Sequence, residues 1–121
     1  MSSDEQVSSQ TFEESATEVA NECVNLLISK QKDYGPENIL SFGELGVLVR
    51  MNDKMARLKN ILWKKKVENG DNDVEVNHES IEDTFKDMAN YAMIALMLRR
   101  DQFDLPLEAD DQIDDPLNKD Q

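Results

Sequence analysis

Glu79, Asp83 and Asp87 step by four residues through ESIEDTFKDMANYAMIALMLRR, so on a helix their carboxylates stack along one face. Like charges at that spacing destabilise an isolated helix by roughly a few tenths of a kcal/mol per pair. A divalent cation offsets such repulsion, and Mg2+ or Mn2+ takes oxygen ligands of this kind. A fourth acid, Asp53, lies in GVLVRMNDKMARLKN, which also reads as a helix and can add a ligand opposite the other three. Arg50, Lys54 and Arg57 share that segment and would face phosphate oxygens. Tyr34 and Asn38, within YGPEN, offer a ring for stacking and an amide for hydrogen bonding. The chemistry these residue types imply is a metal-bridged polyphosphate.

Each group also has a plainer reading. Ser80-x-x-Asp83 can be a capping box, and acids favour a first helical turn. That covers Glu79, Glu82 and Asp83, but not Asp87, which lies two turns in. Asp53-Lys54-x-x-Arg57 can be a solvated helix face with local ion pairs. Tyr34-Gly35-Pro36 can be a helix stop and nothing more.

The elements that must carry these residues follow from periodicity. Thr11 begins the first helix, with Glu14 three residues on completing a capping box. Phe12, Ala16, Val19, Ala20, Cys23, Val24 and Leu27 recur at helical steps. The helix is expected to end at Asp33-Tyr34, with Gly35 as a left-handed cap and Pro36 blocking continuation. GPENILSFG, residues 35–43, reads as a loop or short turn. A second helix is expected over 44–66, with Leu48, Met51, Met55, Leu58 and Leu62 as its apolar stripe and Lys64-Lys65-Lys66 at its end. A polar loop with a turn at Asn69-Gly70 leads to a third helix over 79–100, capped by Asn77 or Ser80. In its first half Ile81, Phe85, Met88 and Ala89 oppose the acids. Its second half, NYAMIALML, is apolar nearly all round, and such a helix must be buried on all sides. Three helices cannot do that alone, so a partner subunit is expected. Val74-Glu75-Val76 is the only weak strand candidate. The fold class is therefore all-α: three long helices per protomer, completed by oligomerisation. Residues 1–10 read as a polar tail, 11–103 as the domain and 104–121 as an acidic tail.

Composition narrows the classes further. The chain has 121 residues and a formal net charge of −13. Residues 1–18 hold five acids and no Lys or Arg, and residues 104–121 hold seven acids and one Lys, leaving −2 on residues 19–103. An acidic chain argues against a nucleic-acid backbone as partner, but not against nucleotides, which a metal can bridge to carboxylates. Cys23 is the only cysteine, so no intramolecular disulfide can form; it falls on an apolar face and reads as a small core residue. The N-terminus is polar and acidic, unlike a secretory leader, and the run Ala92 to Leu98 is too short to span a bilayer. A cytoplasmic setting is expected, with no membrane partner. Glycines stand only at 35, 43, 46 and 70, which excludes a phosphate-binding glycine loop. His78-Glu79 has no second His at position 82, which argues against a zinc-protease helix.

KDYGPEN, then GVLVRMNDKMARL, then ESIEDTFKDMANYA, taken in order, resemble the phage and bacterial nucleotide-modification-associated domain. That domain is in turn similar to the MazG-like all-α nucleoside triphosphate pyrophosphohydrolases. The resemblance spans about residues 30–97. It implies Mg2+- or Mn2+-dependent hydrolysis of a (d)NTP to (d)NMP and pyrophosphate, in a dimer or tetramer. It implies Asp53, Glu79, Asp83 and Asp87 as metal ligands, with Glu82 and Glu44 in reserve. Glu79 would orient or deprotonate the attacking water, and Lys54 with an Arg would neutralise the departing pyrophosphate. Arg50 and Arg57 would bind phosphates; Tyr34 and Asn38 would contact base or sugar. The family's acidic pairs are incomplete here: Val47 and Thr84 stand where paired acids would be expected. Two rival readings follow, a nucleotide-binding or sequestering protein that does not cleave, and a helical adaptor whose acidic tails recruit a basic partner.

Overall fold

The computed structural model describes residues 9–64 and 78–108. Among them every regular element is helical: α1 spans Phe12–Tyr34, α2 spans Glu37–Leu58 and runs on into a π-helical segment Lys59–Lys64, and α3 spans His78–Arg99. None of these helices is long and apolar enough to cross a membrane. The expected Lys65, Lys66, Asn69-Gly70 turn, Asn77 cap and Val74–Val76 strand lie outside the described residues, as do both chain ends.

α1 starts as its sequence requires. The Glu14 backbone N–H donates to Thr11 Oγ1 at 3.1 Å, and the Thr11 N–H donates to Glu14 Oε1 at 3.0 Å. Its end differs from the expectation. Gly35 has φ +71 but an extended ψ of 177, so it is not a left-handed cap; its N–H still closes the helix on the Gln31 carbonyl at 2.8 Å. Pro36 then opens α2, and its carbonyl accepts from the Leu40 N–H at 3.0 Å. A proline stops one helix yet suits the start of the next, where its missing N–H is no loss. Residues 37–42, expected as loop, are therefore helical. The true break is Gly43, at φ +66 and ψ −157, and the long part of α2 begins at Glu44 as expected.

α2 and α3 run antiparallel. Arg57, late in α2, donates to Ser80 Oγ at the start of α3, while Arg99, at the end of α3, donates through Nε to Glu44 Oε2 at 2.6 Å. Ser80 is thus inside the helix with its hydroxyl on Arg57, and it is not the cap that its spacing to Asp83 suggested. The packing seam of α2 keeps Met51 and Leu58 of the expected stripe but takes Val47 in place of Leu48. Val47 is the most buried residue at 1% exposure, with Leu58 also buried, whereas Leu48 is 56% exposed. On α3 the buried positions are Ile81, Thr84, Asn90 and Ile94, while Phe85 is exposed. The seam therefore contains polar side chains, and the Thr84 hydroxyl satisfies itself on the Ser80 carbonyl at 2.7 Å.

α1 lies against α3, where Cys23 is buried as expected and Lys86 Nζ meets Glu22 Oε1 at 3.2 Å. The carboxylate holds this ammonium above its ordinary lysine range. After Arg99 the chain turns sharply. Asp101 takes φ +56, its N–H donates to the Leu98 carbonyl and the Gln102 N–H donates to the Met97 carbonyl, which is the Schellman hydrogen-bond pair. Phe103 then folds under the bundle and joins Val47 and Ile94 in the core. Gln31 of α1 ties it down by donating to the Phe103 carbonyl at 3.2 Å.

Candidate functional site

The fold-back of Phe103 closes one side of a cavity of about 340 Å3 between the three helices. That volume is at the small end of ligand sites. The last turns of α1 supply Leu27, Lys30, Gln31 and Tyr34. The Gly35-Pro36 turn brings the first turn of α2 round beside them, which places Asn38 and Ile39 on the rim. Arg50 enters from the middle of α2, and α3 contributes Asp87, Asn90, Tyr91 and Ile94. Ile94 and Phe103 belong to the core, so the floor is apolar while the rim is polar.

The electrostatics run against the character of the chain. In a protein of net charge −13, the lining holds Lys30 and Arg50 against a single acid, Asp87. Asp87 is half-buried between two ammonium groups, Lys54 Nζ at 3.3 Å from α2 and Lys30 Nζ at 3.9 Å from α1. Two cations thus converge on one carboxylate, and Arg50 lines the same cavity. Such a rim suits an anion, because its cations outnumber the one carboxylate that pairs with them.

Tyr34, Asn38, Arg50 and Asp87, four of the residues singled out from sequence, line this cavity together. Lys54 joins them through Asp87. Arg57 is exposed and engaged with Ser80, outside the lining. Asp53 and Asp83 are exposed on α2 and α3 and do not line the cavity. Glu79 lies within α3, but its side chain is outside the described residues. Glu44 is taken by Arg99. Among the described residues no three His, Cys, Asp or Glu side chains gather closely enough to hold a metal ion. Of the four expected metal ligands, Asp87 lines the cavity and carries two ammoniums, while Asp53 and Asp83 face solvent.

Lys30, Gln31, Asn90, Tyr91 and Phe103 complete the lining without having been singled out. For Asn90 the sequence does carry a signal. It opens the run NYAMIALML, where the pattern demands burial, and a carboxamide there needs a purpose. Asn90 is only 5% exposed, and neither its amide oxygen nor its amide nitrogen has a hydrogen-bond partner. Phe103 had no signal, since it follows the last periodic residue and enters the core only through the Asp101 turn.

Helices and cavity together define an all-α domain with a cation-rimmed pocket between its three helices. Residues 30–98 match the family described as nucleotide modification associated domain 1; this is more than half of the chain, and the protein belongs to that family. The matched span includes every lining residue from Lys30 to Ile94. No curated protein and no solved structure matches the chain.

Proposed function

We propose that the protein binds a nucleotide in the cavity between α1, α2 and α3. The observation that carries this reading is that Lys30 and Arg50 line, and Lys54 adjoins through Asp87, a pocket that also holds Tyr34 and Tyr91. Cations suit the phosphates, and tyrosine rings suit a planar base. Family membership supports the same ligand class. Any ligand that binds only the folded state stabilises it by RT ln(1 + [L]/Kd), about 2.7 kcal/mol at 100 times Kd. Thermal melting with each of the common dNTPs and dNMPs, with and without Mg2+ or Mn2+, tests the reading. The expected outcome is a rise for at least one nucleotide, absent with deoxyribose 5-phosphate. No rise with any of them at millimolar concentration would sink it.

A second reading is the pyrophosphohydrolase chemistry of the MazG-like enzymes, with Asp53, Glu79, Asp83 and Asp87 as Mg2+ or Mn2+ ligands and Lys54 facing the pyrophosphate. What favours it is that Asp83 and Asp87 lie one turn apart on α3, with Lys54 already against Asp87. It predicts pyrophosphate release from a (d)NTP that depends on added metal and is lost in Asp83→Asn. A binder that does not cleave releases none. Under either reading we propose a homodimer or homotetramer, because much apolar surface of α2 and α3 lies exposed in the single chain.

A further inference from the structure

We propose that Asn90 is the specificity determinant of the cavity: its carboxamide reads the edge of a nucleobase that carries a hydrogen-bond donor beside an acceptor. The inference rests on the nucleotide-binding reading above and goes beyond it by naming which atoms recognise the base and which end of the ligand enters first. Asn90 lines the cavity at 5% exposure, and both its Oδ1 and Nδ2 are unpartnered. A buried amide left so loses hydrogen bonds that water supplied in the unfolded chain. Native proteins keep very few such groups, so this one calls for a purpose. Thr84, the other buried polar residue among the described residues of α3, shows the contrast, since its hydroxyl is satisfied within its own helix.

The order of groups along the cavity fixes the ligand's direction. Asn90, neutral and buried, stands deep beside the core residue Ile94. Asp87 is one turn towards the N-terminus on the same face, with 20% of its side chain exposed, and it carries Lys54 and Lys30, the latter 52% exposed. Tyr34, 76% exposed, lies on the lining and is open enough to settle over a ring. Polarity therefore runs from a neutral donor–acceptor pair inside to surplus positive charge outside. The ligand that complements this gradient has a neutral heterocyclic head and an anionic tail, with the head inward. A carboxamide offers one acceptor and two N–H donors side by side. It pairs with the lactam edge of thymine, uracil or guanine, or with the amino–imine edge of cytosine or adenine. An inorganic phosphate or a sugar phosphate can hydrogen-bond a carboxamide but has no planar donor–acceptor edge to pair with both of its ends.

Calorimetric titration of the full chain with dTMP, dCMP, dAMP and dGMP, each beside its edge-blocked analogue (3-methyl-dTMP, N4-dimethyl-dCMP, N6-dimethyl-dAMP, 1-methyl-dGMP), tests the assignment without altering the protein. The tightest-binding nucleotide is expected to lose about 10- to 100-fold in affinity when its edge is blocked, the value of two hydrogen bonds. The same loss is expected for Asn90→Leu with the unblocked nucleotide, while its melting temperature holds or rises by a few degrees, because the substitution removes an unpaired polar group at similar volume. A structural role for Asn90 predicts the opposite, a fall in melting temperature with affinity kept. Equal affinity for blocked and unblocked nucleotides overturns the assignment of Asn90 and leaves nucleotide binding standing. Absence of binding by every nucleotide overturns both.

Discussion

Asp87 is the residue on which the two functional readings divide. Its carboxylate holds Lys54 and Lys30 together across the seam where α1 and α2 meet α3. Read as a metal ligand, it must exchange those ammoniums for a cation. Read as a rim residue, it keeps two phosphate-binding cations in place and withdraws when an anion arrives. Asp87→Asn separates these. Partly exposed ion pairs are worth little, so the folded state is expected to lose about 1 kcal/mol or less by urea denaturation. If the protein is a binder, nucleotide affinity is expected to hold or to rise by up to about tenfold, since one competing negative charge is gone at the rim. A loss of binding beyond tenfold would show that the carboxylate itself contacts the ligand, directly or through a metal.

At the scale of elements, Gly43 controls the shape of α2. Its φ of +66 with ψ of −157 belongs to a region that only glycine occupies without strain. A Cβ built there would meet nothing within 4 Å, so the penalty of a larger residue is purely that of the backbone. Gly43→Ala is expected to lower stability by about 1–3 kcal/mol, read from the denaturant midpoint. The consequence reaches the cavity. The short piece of α2 before the kink carries Asn38 and Ile39 to the rim, and the piece after it carries Val47 in the core and Arg50 in the cavity lining. Relief of the strain by straightening would move the two pieces relative to each other. Nucleotide affinity is therefore expected to fall in Gly43→Ala even at temperatures where the variant is fully folded.

At the scale of the whole molecule, the single chain leaves much apolar surface uncovered. Leu45, Leu48 and Val49 on α2 are exposed, as are Phe42 before them and Leu96 on α3. Met51, Met55, Leu58 and Leu62 with Trp63 on one side, and Phe85 with Met88 on the other, line a separate apolar groove between α2 and α3. Apolar surface of this extent is uncommon on a monomer, which is the physical basis for proposing a homo-oligomer. Sedimentation velocity is expected to give a dimer or tetramer, and Leu45→Glu with Leu48→Glu to shift it to monomer. Because both side chains already face away from the core, the substitutions are expected to leave helix content unchanged. A wild-type chain that sediments as a monomer at tens of micromolar would refute the proposal.

Local chemistry made a large part of the fold legible. The Thr11–Glu14 capping box, the stop at Tyr34 and the burial of Cys23 depend on residues within a few positions of one another, and three helices follow from period alone. Tyr34, Asn38, Arg50 and Asp87 were also legible as a group, because their types and their helices pointed to one kind of ligand. Long-range packing decided the rest. Whether Pro36 ends a helix or begins one depends on where the chain must go next, and the answer turned 37–42 from loop into helix. Whether Val47 or Leu48 meets the core depends on the side from which α3 approaches α2, which no periodicity within α2 encodes. Which acids face the cavity was settled by the approach of α1 and α2 to α3. That approach left Asp83 in solvent, drew two lysines onto Asp87, and enclosed the Asn90 amide without a partner. Side-chain types and spacing are properties of the chain, but desolvation and pairing of charges arise only when distant segments meet.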